Sequence, residues 1–245
     1  MCFTEEEMSA LQYLQRKLHN ITHPIQGRIL MLHRVVEHRS EDENRELEVT
    51  PQFLEQTIEN YRRQGYRFVS IDQACDILQH GSHQTKPFIC LTFDDGYQDN
   101  YDIAYPILKH HEVPFAVYVT TGFMDNRLPM WWYPNEQLGI STEFLKVLDA
   151  DSLCTIGAHT VSHPKLDTLS LGEQKKEIEQ SVQELESLLG HSIRHFSYPH
   201  GAYNTDTIKI VGDSHFISAL RAWGGCIRKG DATLQELPRI ELKEP

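Results

Sequence analysis

The sequence predicts an α/β fold, a mainly parallel sheet with helices packed outside it. Three observations predict this. Short apolar runs alternate with longer segments of helical period along the 245 residues. Serine and threonine caps stand in front of several of the helical segments. The residues able to do chemistry fall just after strand-like runs, where a parallel barrel gathers its active site.

Thr4 to Glu7 reads as a capping box opening a helix with Met8, Leu11, Leu14, Leu18 and Ile21 on one face. Arg28 to Val35 is a short apolar strand, and the charged stretch Glu37 to Glu48 a surface loop. Thr50-Pro51 starts a helix with proline at its first position. Tyr66 to Val69 is a strand, followed by a second capping box at Ser70 to Gln73 and a helix through Leu78. Pro87 to Phe93 is a strand, Asp99 to His111 a helix, and Phe115 to Val119 a strand. Thr120 to Leu138, with its prolines and aromatics, is a long excursion. Leu153 to Gly157 is the next strand, and Ser170 to Glu173 caps a helix with Ile178, Val182, Leu185 and Leu189 inward. Arg194 to Ser197, Phe216 to Leu220 and Arg239 to Leu242 are strands, with a helix at Asn204 to Val211. No repeat or linker breaks the pattern. We expect one catalytic domain over residues 28–245 behind an N-terminal helical extension, residues 1–27.

Composition narrows the partners. A net charge of -12 argues against nucleic acid, whose phosphates need clustered Lys and Arg. No apolar stretch is long enough to span a bilayer. The acidic start Met1-Cys2-Phe3-Thr4-Glu5-Glu6-Glu7 lacks the basic-then-apolar layout of a signal peptide. Five scattered cysteines without metal-type spacing read as free thiols. Together these predict a cytoplasmic protein.

The apolar run Phe88 to Phe93 delivers two adjacent carboxylates, Asp94-Asp95-Gly96. Neighbouring carboxylates repel, and a metal beside one with a reacting proton beside the other would justify them. Some sixty residues on stand His159 and His163, whose spacing puts two imidazoles on one face of a helical turn. With one carboxylate they make a facial set that leaves positions open for water and substrate. Taken singly, each has a plain reading: a histidine pair in a chain with 14 histidines, and an Asp-Asp-Gly turn.

Thr92-Phe93-Asp94-Asp95-Gly96 followed by His159-Thr160-Val161-Ser162-His163 resembles the polysaccharide deacetylase family, the carbohydrate esterases with a NodB homology domain. The resemblance runs from about Ile29 to Leu242. It implies a distorted (β/α) barrel and metal-dependent removal of acetyl groups from sugars. Asp94 would be the general base. Asp95, His159 and His163 would hold the metal, usually Zn2+ and sometimes Co2+ or Ni2+.

Two departures matter. The family's R-x-P-[YFW]-G motif is met here by Ser197-Tyr198-Pro199-His200-Gly201, without the arginine that orients the base. Pro199 and Gly201 keep the loop's shape, and the His200 N–H is a candidate oxyanion donor. Arg239, from another strand, is the candidate replacement for the charge. The family's C-terminal L-x-H element is also missing. Ile29 to Val35 carries Leu32-His33 on an N-terminal strand instead, similar to the circularly permuted poly-N-acetylglucosamine deacetylases. That makes His33 the expected general acid. Trp131 and Trp132 are candidates for stacking on a sugar, and Trp223 for walling the acetyl pocket. Tyr97 and Asn100 read as turn-shaping, and His80, His83, His110 and His111 as solvated.

The expected substrate is an N-acetylated sugar or glycan, and a cytoplasmic site would favour a nucleotide- or lipid-linked precursor. The competing readings are hydrolysis of another small amide, such as a formylated sugar or ureide, and a non-catalytic carbohydrate-binding module on the same fold.

Overall fold

The computed structural model describes residues 24–81, 86–228 and 233–245. The helix expected from Thr4 lies outside them.

β5 (Phe88–Phe93) is buried at every position, as is β6 (Phe115–Val119). A strand sealed on both faces needs an unbroken apolar run rather than alternation, and both sequences supply one. β5 pairs in parallel with β1 (Ile25–Leu32) on one side and β6 on the other. The parallel order continues through β7 (Cys154–Ala158), β8 (His195–Ser197) and β9 (Ser218–Leu220). Beyond β9, Leu220 forms a parallel bridge to Leu237. β11 (Ile240–Glu241) then pairs in parallel with β1. The hydrogen-bonded path thus returns to where it began, giving the distorted barrel, with β1 and β11 adjacent.

Four shorter strands trim this frame. β4 (Arg67–Phe68) joins the start of β5, and β10 (Ile227–Arg228) runs antiparallel to β1. β2 (Arg34–Val35) leaves the main sheet to pair with β3 (Glu48–Val49). The strand expected over Arg28 to Val35 is therefore two strands, divided at His33.

The helices lie where their caps place them. α1 (Pro51–Arg63) is capped by the Thr50 hydroxyl. α2 (Ile71–His80) and α5 (Leu171–Leu189) open with complete capping boxes at Ser70 and Ser170. Such a cap contributes about 1 kcal/mol. α6 (Thr205–Asp213) starts on Asn204. The helix expected over Asp99 to His111 opens as a π turn, Asn100–Ala104, before α3 (Tyr105–His110). α4 (Thr142–Asp149), capped by Ser141, was not anticipated, because its eight residues are too few for a clear period. The surface loop before β3 includes a 3-10 turn, Glu43–Leu47, and the excursion after β6 opens with a segment, Thr121–Asn126, of short turns kinked at Met124 and Asp125.

The four described cysteines are free thiols. No helix among the described residues is long and apolar enough to cross a membrane.

Candidate metal and catalytic site

The ends of four parallel strands supply the site. β5 hands over Asp94 and Asp95, β7 His159, β8 the turn from Tyr198 to Gly201, and β1 His33. The side chains of His33, Asp94, Asp95 and His159 line one cavity of about 420 Å3, together with Trp131, Trp132, His163, His200, Trp223 and Arg239. Met31, Leu47, Tyr198, Ala222 and Glu241 complete the wall.

Asp95, His159 and His163 are buried and converge, one ligand atom from each lying within 4.8 Å of the others. Asp95 Oδ1 stands 3.4 Å from His159 Nε2 and 3.2 Å from His163 Nε2. His159 Nδ1–H donates to the Ser197 carbonyl at 2.7 Å, which aims Nε2 at Asp95. The histidine pair does not sit on a helical turn as its spacing suggested. It lies in a loop after β7, in which Thr160 and His163 have φ of 67° and 60°. Asp95 and His200 are also left-handed, at 74° and 56°. Four non-glycine residues in that region at one place mark a backbone held under strain at a functional site.

The site fits a divalent cation. Asp95 Oδ1 is buried and accepts no hydrogen bond. A buried anionic oxygen without a donor is costly, and a cation among the three ligands removes the cost. Burial opposes ionisation of Asp95, but His163 and His159 beside it hold its carboxyl below the usual range. Burial pushes His163 down to about 3, which keeps it neutral and able to ligate. Burial also opposes a charge on His159, but the flanking Asp94 and Asp95 outweigh it and raise its pKa. The carboxylates demand positive charge at this point. Two imidazoles and one carboxylate suit Zn2+, Co2+ or Ni2+.

Asp94 is gripped rather than free. Arg239 Nη1 donates to its Oδ1 at 2.7 Å and Nη2 to its Oδ2 at 2.6 Å. The same Nη2 donates to Ser197 Oγ at 2.8 Å, and Ser197 Oγ–H donates to Asp94 Oδ2 at 3.1 Å. Arg239 Nη1 and Nε also reach Thr92 Oγ1 and the Arg221 carbonyl. Arg239 is 1 % exposed, so it is no surface ion pair. Sheet register places Ile240 level with Leu91, so the long Arg239 side chain runs along the barrel interior to Asp94. The serine standing where the family motif has arginine leaves room for that arrival. Burial alone would raise the Asp94 pKa, but the Arg239 guanidinium beside it wins and holds it below the usual carboxylate range.

His33 sits at the break between β1 and β2, and its carbonyl accepts from Asn100 Nδ2 at 2.8 Å. Arg34, the next residue, donates to Asp99 Oδ2 at 2.8 Å. The π turn puts Asn100 where it can hold His33, a role its sequence context did not reveal.

His200 lines the cavity, with Nε2–H donating to the His163 carbonyl at 3.3 Å. Pro199 and Gly201 are buried in the turn that carries it and do not reach the cavity wall. The two adjacent tryptophans divide. Trp131 is 66 % exposed at the mouth, while Trp132 is half-buried and donates from Nε1 to Tyr97 Oη at 2.7 Å. Trp223 is exposed on another part of the wall.

This constellation can be set against known proteins. The polysaccharide deacetylase profile matches residues 81–216, more than half of the chain, and includes Asp94, Asp95, His159 and His163. The chain belongs to the polysaccharide deacetylase family. Among solved structures, it is similar to the Streptococcus pyogenes deacetylase PplD in complex with acetate, at 26 % identity and a TM-score of 0.77, over 90 % of this chain and 93 % of that one. It is also similar to IcaB from Ammonifex degensii, at 25 % identity and a TM-score of 0.76, over 89 % and 92 % of the two chains. Among curated proteins it resembles Bacillus subtilis (strain 168) YxkH, provisionally named a polysaccharide deacetylase, at 27 % identity over 60 % of this chain. The matched segment spans about half of YxkH, 49 %. In this family member Met31, Leu47, Ala222 and Glu241 are cavity residues that no motif flagged; only strand register, Met31 opposite Glu241, could have found that pair.

Proposed function

We propose that the protein is a metal-dependent hydrolase that removes N-acetyl groups from a sugar or glycan. The observation that carries this is the division of labour between two adjacent carboxylates. Asp95 faces two imidazoles without a hydrogen-bond donor on its Oδ1, while both oxygens of Asp94 are held by the Arg239 guanidinium, Oδ2 standing 3.9 Å from His159 Nε2. A binding module has no use for the second arrangement.

A divalent ion held by Asp95, His159 and His163 would polarise the acetyl carbonyl and acidify adjacent water. Asp94, kept ionised by Arg239, takes the proton from the attacking water. The His200 N–H stabilises the developing oxyanion. His33 protonates the departing amine nitrogen. The adjacency of β1 and β11 supports reading the His33 strand as the family's histidine-bearing strand moved to the front of the chain.

The cavity favours a neutral sugar. Arg239 is the one lysine or arginine lining it among the described residues, and its donors are spent on Asp94, Ser197, Thr92 and Arg221. A pyrophosphate-linked precursor needs unspent cations to hold its phosphates. Glu241 on the wall further disfavours an anionic carrier. Trp131, Trp132 and Trp223 offer faces for sugar rings.

The test is a panel of N-acetylated and N-formylated sugars and oligosaccharides, with released acetate and formate measured. Acetate release that stops with chelator and in Asp94→Asn is expected. Activity surviving both changes would sink the proposal.

A further inference from the structure

The loop His159 to His163 carries two proposed metal ligands, yet it is neither helix nor strand. Its backbone polar groups must be satisfied from outside. On one side the turn after β6 does this. Thr121 N–H donates to the Thr160 carbonyl at 3.1 Å and Gly122 N–H to the Val161 carbonyl at 2.8 Å. Thr120 Oγ1 donates to the His159 carbonyl at 3.1 Å. That side also accepts the first loop donor, His159 N–H, on the Val119 carbonyl at 3.0 Å.

His163 N–H is met within the loop by Thr160 Oγ1 at 3.1 Å, and the donors of Val161 and Ser162 on the other side end on a single group. Glu177 Oε2, from α5, accepts from Val161 N–H and Ser162 N–H, both at 2.9 Å. Glu177 Oε1 accepts from Ser162 Oγ at 2.7 Å. The loop is clamped between the β6 turn and this one carboxylate. The clamp matters because Thr160, a β-branched residue, stands at φ 67°. Such a conformation costs about 1–3 kcal/mol and persists only when its surroundings fix it. Without Glu177 two adjacent N–H groups lose their acceptor, and the loop can relax toward ordinary backbone. His163, at φ 60°, would then leave its place opposite Asp95.

We propose that Glu177 is a positioning residue for the metal: it acts through the backbone of the His159 to His163 loop to hold His163 against Asp95. This rests on the metal reading above. In sequence Glu177 looks like one charge among many on the solvated face of α5, which is why no motif marks it.

The atoms make a sharp distinction among variants. Gln in place of Glu177 keeps one oxygen for the two backbone donors, and its NH2 can donate to Ser162 Oγ. Glu177→Gln should therefore preserve the clamp, and Glu177→Ala should abolish it. The measurement is zinc affinity by competition with a chromophoric chelator, alongside the visible spectrum of the cobalt-substituted protein. Glu177→Ala is expected to weaken zinc binding about 10- to 100-fold and to alter the cobalt spectrum. Glu177→Gln should stay within a few-fold of wild type, with its cobalt spectrum unchanged. Ser162→Ala, which removes only the hydroxyl bond, should fall between the two, and it keeps the test available if Glu177→Ala does not fold. Wild-type affinity in Glu177→Ala, or equal losses in Ala and Gln, would overturn the proposal. A wild-type protein that binds no zinc in this assay would overturn the metal reading itself.

Discussion

Arg239 and Asp94 meet through two parallel hydrogen bonds, of 2.7 and 2.6 Å, with both side chains sealed from solvent. Truncating one partner of such a pair leaves a buried charge and costs about 3–5 kcal/mol. Arg239→Ala should lose that much stability. It should also change how stability depends on pH, measured by urea unfolding of metal-free protein from pH 4 to 8. In the wild type the folded Asp94 pKa is depressed. Its contribution is present above the unfolded value of about 3.9 and is lost only as pH falls through the folded value. In Arg239→Ala only His159 and His33 still oppose burial, so the folded pKa rises and Asp94 contributes less stability as pH rises through the carboxylate range. The gap between the two proteins should widen with pH. A constant gap would mean that Arg239 does not hold Asp94 ionised.

His33→Ala should lower turnover by about two to four powers of ten, the usual range for a general acid, while zinc affinity stays near wild type. Asn100→Ala, which frees the His33 carbonyl, should give a smaller loss in kcat with KM little changed. Near-normal turnover in His33→Ala would reject the assignment.

Removing the metal should abolish acetate release, and added zinc should restore it. His163→Ala and Asp95→Asn should each weaken zinc binding, measured by chelator competition. Asp94→Asn should remove activity and leave zinc bound, because Asp94 is committed to Arg239 and Ser197. An Asp94→Asn protein that loses its metal would show that the two carboxylates do not divide the work.

Most of the barrel was readable because its strands are apolar runs with capped helices between them, and β6 was met residue for residue at Phe115–Val119. The metal-ligand candidates were readable because their chemistry is concentrated in two short motifs. What escaped depends on distance along the chain. Arg239 was a candidate only because the motif arginine is missing; nothing near it announces an aspartate 145 residues away, and the closure of β11 on β1 brings the two together. The helical turn expected for His159 and His163 failed for a related reason. Spacing of four suits a helix, but the carbonyls of this loop are claimed by the β6 turn. α4 was missed because its signal is one serine cap and three inward apolar residues.

Trp131 and Trp132 are adjacent yet should behave differently. Trp131→Ala removes an exposed face and should raise KM for an oligosaccharide with stability unchanged. Trp223→Ala should do the same, since Trp223 is also exposed on the cavity wall. Trp132→Ala also deletes the donor to the buried Tyr97 hydroxyl and should lower stability by about 1–3 kcal/mol. Thermal unfolding and oligosaccharide kinetics on the three variants separate the roles. A stability loss in Trp131→Ala would show that it packs rather than binds.

Gly122 offers a test of how tightly the metal loop is held. A Cβ there would lie 2.4 Å from the Val161 carbonyl oxygen and 2.5 Å from Leu128 Cδ1. The leucine is a side-chain end and can yield. The carbonyl cannot move without the loop, since it already accepts from Gly122 N–H at 2.8 Å. Gly122→Ala should therefore push Val161 outward and weaken zinc binding, with some loss of stability. Gly172→Ala is the matching control, because a Cβ at Gly172 in the first turn of α5 meets nothing within 4 Å. That change should leave zinc affinity alone and raise stability by about 0.4–1 kcal/mol, since alanine restricts the unfolded chain. Chelator competition and thermal unfolding on both variants decide the matter. Equal zinc affinity in Gly122→Ala and Gly172→Ala would show that the loop adapts, and that its left-handed residues are not held by the close approach of the β6 turn.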